Sequence, residues 1–437
     1  MVPGFRRDGV WTPAFAGVTA AVIFYDFIRG EEMKDSEEVV IVSAVRTPFG
    51  KFGGALRDFR SIDLGVLVIK ECLKRAVVEP AEVEEVNYGL SVILEAGLET
   101  DVPARQATLL AGFPPESISL TVNRACCSSL SALRLGYRAI RSGEIEVALA
   151  VGSDNMGRAP LIAPNLRWGN RLGHVVLKDP LFELGYPDFP PLAVDAGEVA
   201  LEYGITRQEQ DEWALRSHQR YFQALEQGKF KVGEELMAVE IPQKKGPALP
   251  FTQDESPRAE TTLEQLAKLP TIYGSPTVTP GNAPGLSTGA TAMLIMSARK
   301  AREKGLKPLA TLVSSVATAM NARYIAVIPA PTLLKAIEKA ERKIENMDLI
   351  EINEAFAAMP LVSTKILAGE DGRLLENLRE KTNVNGGAIA IGHPVGASAL
   401  RIAMTMMYEL QRRGGGYGAA AICGGLAQGE GIVIKVG

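Results

Sequence analysis

Two stretches of the chain repeat the same order of features, and this repetition limits the possible folds more than any other property of the sequence. Residues 121–153 and 383–425 both contain Val-Asn, then Ser-Ala-Leu-Arg within a helical pattern, then glycine and an apolar run typical of a strand. Ser131–Arg134 in the first copy corresponds to Ser398–Arg401 in the second. Two copies of one βαβ-type unit indicate a duplicated domain. We therefore expect two similar α/β halves that pack back to back.

The rest of the sequence alternates strand-like and helix-like segments, which is typical of α/β proteins. Strands are predicted over residues 39–45, 119–123, 146–153 and 310–317, and helices over residues 62–77, 129–143, 194–203, 206–227 and 289–305. Residues 157–285 are rich in proline and glycine, and long excursions of this kind are often functional. The prediction is an N-terminal domain over residues 39–298, which includes this insertion, and a C-terminal domain over residues 306–436.

The first residues of the chain are predicted to lie outside the fold. Residues 10–28 resemble a signal peptide only superficially, because Pro13 and Asp26 interrupt the apolar run and no clean cleavage site follows. The same interruptions argue against a membrane span. We interpret residues 1–38 as an N-terminal extension, with Met33 as a candidate start.

Charge and cysteine content exclude several classes of protein. The 47 Lys+Arg and 51 Asp+Glu residues leave a net charge of −4, so the electrostatic footprint of a nucleic-acid binder is missing. The four cysteines and three histidines have no zinc-site spacing, so no metal site is expected. Four cysteines in a chain of this length do not form a disulfide framework. Free thiols and a reducing, cytoplasmic compartment are therefore predicted, without a membrane partner.

Cys126 is a candidate nucleophile because it lies where a predicted strand meets an amphipathic helix. A thiol at a helix N-terminus faces unpaired N–H groups, which would lower its pKa below the free value of about 8.5. The alternative is that the pair Cys126 and Cys127 fills a small buried space. Cys127 is also the competing candidate for the nucleophile.

Other chemically capable residues stand at similar junctions. His393, within a glycine-rich motif, is placed by the repeat opposite the first candidate thiol and could act as its base. Cys423 ends an apolar strand and could be a second acid/base group or a packing residue. Asn353 lies where a strand runs into a helix, so it could hold a water or an oxyanion, or simply start the helix. His218 is expected on a solvated helix face and His174 in a loop.

Taken together, four ordered motifs resemble those of the thiolases, the acyl-CoA C-acyltransferases. They are VSAVRTPFGKFGG, NRACCSSLSAL, NEAFA, and NGGAIAIGHPVGAS followed by CGGLAQG, and the resemblance covers residues 39–436. It implies a thiolase-like α/β fold with duplicated halves in α-β-α-β-α layers and an inserted loop domain. It also implies reversible Claisen condensation of two acyl-CoAs, or CoA-dependent cleavage of a 3-ketoacyl-CoA, through an acyl-cysteine intermediate. CoA is then a substrate, and no permanently bound cofactor is expected.

Roles for five residues follow from their match to the family motifs. Cys126 corresponds to the acylated nucleophile, His393 to the histidine that activates it, and Cys423 to the cysteine that moves the α-proton of the second acyl-CoA. Asn353 corresponds to the residue that positions an oxyanion-hole water, a hole to which His393 also contributes. The backbone N–H groups of Cys126 and Gly425 would form the other oxyanion hole.

This sequence departs from the family pattern at several positions used for the acyl and pantetheine pockets. Ser129 and Ala399 replace glycines, residues 190–200 replace a histidine-containing motif, and Pro284 replaces a small polar residue. These departures leave the acyl specificity open while the residues of the chemistry are retained.

The substrate contacts and partners are less determined. Lys244, Lys245 and Arg258 are candidate contacts for the CoA phosphates because they are basic residues of the insertion. The family implies a homodimer or homotetramer. Two alternatives to an active thiolase are a ketoacyl condensing enzyme, which would need a second catalytic His or Asn, and a thiolase-like subunit with unusual acyl specificity that needs a partner chain.

Overall fold

The computed structural model describes residues 37–92, 102–182, 186 and 188–437. Almost all of the predicted N-terminal extension, Met33 included, lies outside the described residues. The strands are β1 (Val39–Arg46), β2 (Gly50–Lys51), β3 (Glu85–Leu90), β4 (Ile118–Val122), β5 (Val147–Asn155), β6 (Val239–Ile241), β7 (Leu249–Phe251), β8 (Ser287–Ser297), β9 (Ala310–Ala319), β10 (Leu349–Ile352), β11 (Gly416–Gly424) and β12 (Gln428–Val436). The helices are α1 (Ser61–Ala76), α2 (Pro103–Ala111), α3 (Ser128–Arg141), α4 (Leu192–Glu202), α5 (Arg207–Glu226), α6 (Leu263–Ala267), α7 (Ala298–Glu303), α8 (Pro329–Lys339), α9 (Ala358–Ala368), α10 (Gly372–Lys381), α11 (Ala388–Ile391) and α12 (Ser398–Arg412).

The main sheet consists of two half-sheets joined at one narrow place. Its strand order is β4-β3-β5-β8-β1 in the first half and β9-β12-β11-β10 in the second, with β2 beside β8. Strands β1 and β9 pair only through Val40 with Thr311 and Ile41 with Ala310. In contrast, β12 pairs with β9 along nearly its whole length. Each half therefore forms its own sheet, as the repeat predicts.

Helices α3 and α12, which carry the repeated Ser-Ala-Leu-Arg segment, lie together in the buried layer between the half-sheets. Leu130 and Leu133 of α3 share one apolar core with Met404 and Met407 of α12. The same core includes Ile295 of β8 and residues of β11 and β12. Helix α1 covers the outer face of the first half-sheet, and α8 and α9 cover that of the second. The layers follow the order α-β-α-β-α, which confirms the predicted fold class.

The prediction of a helix over residues 289–305 is wrong in its first part. Residues Ser287–Ser297 form strand β8, whose side chains are all buried, and the helix α7 is limited to Ala298–Glu303. Strand β8 lies between β1 and β5 and is covered by helices on both faces. A strand buried on both faces is continuously apolar, so its periodicity does not distinguish it from a buried helix.

The insertion contributes α4, α5, α6 and the small β6–β7 sheet. Helices α4 and α5 begin and end within two residues of the prediction. Residues 158–178 form an irregular hairpin in which Ile162 and Lys178 exchange both backbone hydrogen bonds. Its Trp168 and Leu172 side chains are 84% and 95% exposed. Among the described residues, no helix combines the length and the apolar character that crossing a bilayer requires.

Candidate active site

A short, tightly held loop places Cys126 at the start of α3. Ala125 has a φ of +48°, a conformation that a residue with a side chain adopts only when its surroundings enforce it. The Arg124 N–H donates to Ser128 Oγ at 2.9 Å, and the Ser128 hydroxyl donates to the Ala125 carbonyl at 2.6 Å. The guanidinium of Arg124 also pairs with Glu430 of β12. The loop is therefore anchored to both halves of the molecule.

Cys126 Sγ lies 3.2 Å from Nε2 of His393. His393 stands between α11 and α12, and its backbone N–H donates to Ser287 Oγ at 3.0 Å. Cys127 is fully buried, and its Sγ instead lies 3.6 Å from the carbonyl oxygen of Ile422. The structure thus brings together Cys126 and His393, which are far apart in the sequence. The two adjacent thiols have different neighbours, since Cys126 contacts His393 and Cys127 contacts the carbonyl of Ile422.

The second nitrogen of the imidazole contacts the hydroxyl of Ser398, the first residue of α12. His393 Nδ1 lies 2.6 Å from Ser398 Oγ, and the Ser398 hydroxyl donates to the Pro394 carbonyl at 2.8 Å. A hydroxyl has a single proton to donate, so toward His393 it acts as the acceptor. The proton of the neutral imidazole is therefore on Nδ1, and Nε2 is free to accept the proton of the Cys126 thiol.

Burial keeps this pair uncharged in the resting protein. Burial lowers the pKa of His393 to about 3. It also raises the pKa of Cys126 well above its usual value, an effect that the neighbouring Cys423 and Asp154 reinforce. The predicted lowering of the Cys126 pKa by the helix terminus is therefore wrong, because desolvation of the thiolate dominates. The resting pair is a thiol and a neutral imidazole.

Cys423 and Gly425 lie close to this pair, and Asn353 is the third residue selected by the motifs. Cys423 is buried near the end of β11, where burial raises its pKa to about 12. Gly425 lines the same cavity as Cys126 and His393. Asn353 follows β10 directly and is fully buried, yet neither atom of its side-chain amide has a hydrogen-bond partner among the described residues. A buried unpaired amide indicates a place for a water or a ligand.

The cavity beside Cys126 has a volume of about 410 Å³ and a mainly apolar lining. Besides Cys126, His393 and Gly425, its walls include Val92, Met156, Leu181, Tyr186, Leu192, Pro284, Leu286, Phe356 and Val395. A second cavity of about 380 Å³ shares Gly285 and Leu286 with it and is lined by Lys51 and Arg258, among others. The two cavities therefore adjoin at Gly285 and Leu286, and the charged residues that line the second one are Lys51, Glu255 and Arg258.

The three candidate phosphate contacts lie in different places. Arg258 lines the adjoining cavity. Lys244 and Lys245 lie in the exposed turn between β6 and β7, and they line neither of the two cavities.

The two remaining histidines stand apart from the cavity that contains Cys126. His174 is exposed in the irregular hairpin, as predicted. His218 is 5% exposed, so its predicted position on a solvated helix face is wrong. Its Nδ1 accepts a hydrogen bond from the Arg258 backbone N–H at 3.2 Å, because the loop that carries Arg258 covers this face of α5. Burial lowers the pKa of His218 to about 4.

Two of the departures from the family pattern do not line the cavity beside Cys126. Ser129 and Ala399 are fully buried where α3 meets α12. The Leu400 N–H in the first turn of α12 donates to Ser129 Oγ at 3.1 Å. Pro284 and Leu192, which belong to the other departures, do line the cavity. Of these departures, Pro284 and Leu192 therefore border the cavity, and Ser129 and Ala399 do not.

Sequence reasoning missed two residues that organise the site, Ser398 and Asp154. The carboxylate of Asp154 accepts the N–H groups of Ser91 and Val92 at 3.2 and 2.8 Å, and that of Gly396. It thereby joins a loop of the first half to the loop that carries His393. Asp154 could have been noticed in the sequence because it is an acidic residue near the end of an otherwise apolar strand. Ser398 was visible only as part of the repeat.

Comparison with known proteins identifies the family. The model of the thiolase N-terminal domain matches residues 39–299, and that of the thiolase C-terminal domain matches residues 306–436. An acetyl-CoA acetyltransferase of Syntrophomonas wolfei is 41% identical over 406 residues, which cover 92% of this chain and 99% of that protein. An acetyl-CoA acetyltransferase of Cupriavidus necator is 41% identical over 402 residues, covering 91% and 99%.

Solved structures agree with this comparison. The human mitochondrial 3-ketoacyl-CoA thiolase in complex with CoA superimposes with a TM-score of 0.85 at 36% identity, covering 92% of this chain and 99% of that one. The acetyl-CoA acetyltransferase of Bacillus anthracis has a TM-score of 0.85 at 37% identity, with the same coverage. The chain therefore belongs to the thiolase family and is an acyltransferase of that family.

Proposed function

We propose that this protein transfers acyl groups between CoA thioesters through an acyl group on Cys126, and that it forms or cleaves 3-ketoacyl-CoA. The observation that carries the proposal is the 3.2 Å contact between Cys126 Sγ and His393 Nε2. The names of the relatives, acetyl-CoA acetyltransferase and 3-ketoacyl-CoA thiolase, support the same reaction.

In the first half-reaction, Cys126 Sγ attacks the thioester carbonyl while its proton passes to His393 Nε2. A bond forms between Sγ and the carbonyl carbon, and the bond from that carbon to the CoA sulfur breaks. The leaving CoA sulfur takes a proton from Cys423, which becomes a thiolate beside the imidazolium. The backbone N–H groups of Cys126 and Gly425 are the proposed donors to the oxyanion. The acyl group passes from one sulfur to another in this step. The attacking and leaving groups are therefore alike, and the reaction is reversible.

In the second half-reaction, the Cys423 thiolate removes the α-proton of an incoming acyl-CoA. The enolate oxygen that develops is stabilised by the protonated His393 and by a water held on Asn353. The enolate carbon then attacks the acyl carbonyl, and the Cys126 thiolate leaves and recovers its proton from His393. Both thiols and the imidazole thus return to their starting states. The unpaired buried amide of Asn353 supports its part in this step.

CoA is proposed to enter as a substrate through the cavity lined by Arg258. The guanidinium supplies a positive charge for a phosphate group, and the adjoining apolar cavity leads to the thiol. The placement of Lys244 and Lys245 in an exposed turn gives them less support as phosphate contacts. All four cysteines are free thiols, which supports a reducing, cytoplasmic compartment.

We propose a homo-oligomer in which β4 pairs with its counterpart in a second copy. Strand β4 lies at the edge of the main sheet, and its Ile118 and Leu120 side chains are 67% and 49% exposed. An unpaired apolar edge strand is a template for pairing with another chain. The exposed hairpin over residues 158–178 offers a second apolar surface, as a tetramer would require. Light scattering should give the mass of a dimer or tetramer, and Leu120→Lys should lower it; a wild-type monomer would contradict the proposal.

The other two functions have less support. A ketoacyl condensing enzyme with a cysteine and two histidines has less support because neither His174 nor His218 lines the cavity beside Cys126, and the family models that match are those of the thiolase domains. No feature of the described residues favours a thiolase-like subunit that depends on a partner chain.

The proposed function is tested by locating the acyl group. The protein is incubated with acetyl-CoA and digested, and acetylated peptides are identified by mass spectrometry. We expect an acetyl thioester on Cys126 that disappears when free CoA is added. Cys126→Ala should abolish this adduct, and Cys127→Ala, which removes the adjacent thiol, should retain it. A wild-type protein that forms no adduct at Cys126 would overturn the proposed function.

A further inference from the structure

Tyr186, a residue of the insertion, forms part of the wall beside the reactive thiol. Its side chain is half-buried and lines the cavity that also contains Cys126, His393 and Gly425. Its carbonyl accepts the N–H of Phe189 at 3.0 Å, shortly before the start of α4. A large aromatic side chain thus stands in the cavity wall, and its own backbone is hydrogen-bonded to that of Phe189.

The phenol packs directly on the backbone of Gly425. A Cβ atom at position 425 would lie 1.9 Å from Tyr186 Oη and 3.0 Å from Cζ. No side-chain carbon fits at such distances, so a glycine is required there as long as the phenol occupies this space. Tyr186 therefore fills the volume next to the residue proposed to bind the acyl oxygen.

The phenol is also close to the nucleophile. Burial raises the pKa of Tyr186, and so does the neighbouring Cys126. The phenol consequently stays uncharged at neutral pH. It forms a neutral wall, and it adds bulk rather than charge to the site.

The position of an acyl group follows from these contacts. If the acyl oxygen is held by the N–H groups of Cys126 and Gly425, the first carbons of the chain lie between the thiol and Gly425. Tyr186 borders this space because it contacts Gly425. A longer chain would have to displace the phenol or bend away from it.

We propose that Tyr186 is a specificity-determining residue that restricts the acyl group on Cys126 to short chains. The proposal rests on the proposed function and names its substrate class, short-chain acyl thioesters of CoA. The mechanism is exclusion by volume. The ring supplies most of that volume, and the hydroxyl oxygen is the atom nearest to Gly425.

The test compares rates of Cys126 acylation by acetyl-CoA and hexanoyl-CoA in three variants. Tyr186→Ala should raise the hexanoyl-to-acetyl ratio of kcat/KM by at least about tenfold, since even a single methylene is worth roughly tenfold or more in an apolar pocket. Tyr186→Phe keeps the ring and should leave the ratio within about twofold of wild type. Tyr273→Ala, which removes another tyrosine of the insertion, should also leave it unchanged.

The outcomes separate this proposal from the proposed function. An unchanged ratio in Tyr186→Ala, with acetylation of Cys126 intact, would overturn the proposal alone. An equal shift in Tyr186→Phe would overturn it too, because the hydroxyl and not the ring would then set the preference. A wild-type protein that is not acylated at Cys126 would remove both proposals together.

Discussion

The hydrogen bond of 2.6 Å between His393 Nδ1 and Ser398 Oγ determines which ring nitrogen faces the thiol of Cys126. The Ser398 hydroxyl gives its proton to the Pro394 carbonyl and can only accept from the imidazole. This one hydroxyl sets the tautomer in which Nε2 accepts a proton. Ser398 is thus a positioning residue for the proposed base.

Removing that hydroxyl should slow acylation without abolishing it. Ser398→Ala should lower the rate of Cys126 acylation by about five- to tenfold, the worth of one hydrogen bond of roughly 1 kcal/mol. The rate is measured by single-turnover mass spectrometry with acetyl-CoA. Ser363→Ala, which removes a fully buried serine hydroxyl from α9, is the matched control and should leave the rate unchanged. Equal losses in both variants would mean that Ser398 acts only on stability.

The pH dependence of acylation should reflect the neutral resting pair. The pKa of His393 is about 3, so its imidazole is already neutral at every pH well above that value. Protonation of His393 would therefore impair acylation only near pH 3. The acylation rate should be flat from about pH 5 to about pH 8, the range in which an unperturbed histidine titrates. A rate that falls with an apparent pKa near 6.5 would contradict the buried, neutral state of His393.

The two thiols are expected to divide the reaction between them. Cys423→Ala should retain acylation of Cys126 within about tenfold, because a thiolate can leave without a proton donor. It should lose condensation by about 10²- to 10⁴-fold, the usual contribution of a positioned base. Acylation is followed by mass spectrometry and condensation by the formation of 3-ketoacyl-CoA. Cys72→Ala, which removes a buried thiol far from the site, is the control; a folded Cys423→Ala protein that is not acylated would reverse the assignment.

Ser129 is expected to contribute to stability rather than to specificity. The first N–H groups of a helix have no partner within the helix itself. In α12, the Ser129 hydroxyl accepts one of them, the Leu400 N–H. Ser129→Ala would leave that buried N–H unpaired and should cost about 1–3 kcal/mol of unfolding free energy. Denaturant unfolding measures this loss. The preference between acetyl-CoA and hexanoyl-CoA should stay constant, and a changed preference would place Ser129 in the acyl pocket after all.

Substitutions of Arg258 and Lys244 test the proposed contact with CoA, and the second serves as the control for the first. Arg258→Ala should raise KM for acetyl-CoA by about tenfold, since a charge-assisted hydrogen bond contributes roughly 1.5–3 kcal/mol. Lys244→Ala should leave KM unchanged, because this lysine lies in the exposed turn between β6 and β7. Steady-state kinetics distinguish the two variants. Equal effects would indicate a general electrostatic attraction instead of a local contact.

Most of the fold could be predicted from the sequence because the patterns that mark its helices and strands are local, and one of them occurs twice. The duplicated Ser-Ala-Leu-Arg helices and the first strand need only neighbouring residues to be recognised. Strand β8 was predicted as a helix because burial on both faces removes the alternation that marks a strand. Its assignment depends on partners at β1 and β5, which are remote in the sequence.

For the site too, local motifs could be recognised in the sequence, whereas effects of residues remote in the sequence could not. Motif order was enough to propose Cys126 and His393 as a pair, and their side chains lie together, but the protonation of both groups depends on how much water the fold excludes. That exclusion reverses the effect expected from the start of α3. His218 was misplaced for a related reason, since the loop that covers it begins far along the insertion. Ser129 could not be explained until α12 was placed beside α3.

The buried pairing of α3 with α12 also has a consequence for synthesis of the protein on the ribosome. The proposed nucleophile stands at the beginning of α3 and its proposed base just ahead of α12, and α12 is made about 270 residues after α3. A nascent chain therefore carries Cys126 without a proton acceptor. Reactivity toward cellular thioesters should arise only when the two helices dock, so that this single packing event switches on the chemistry.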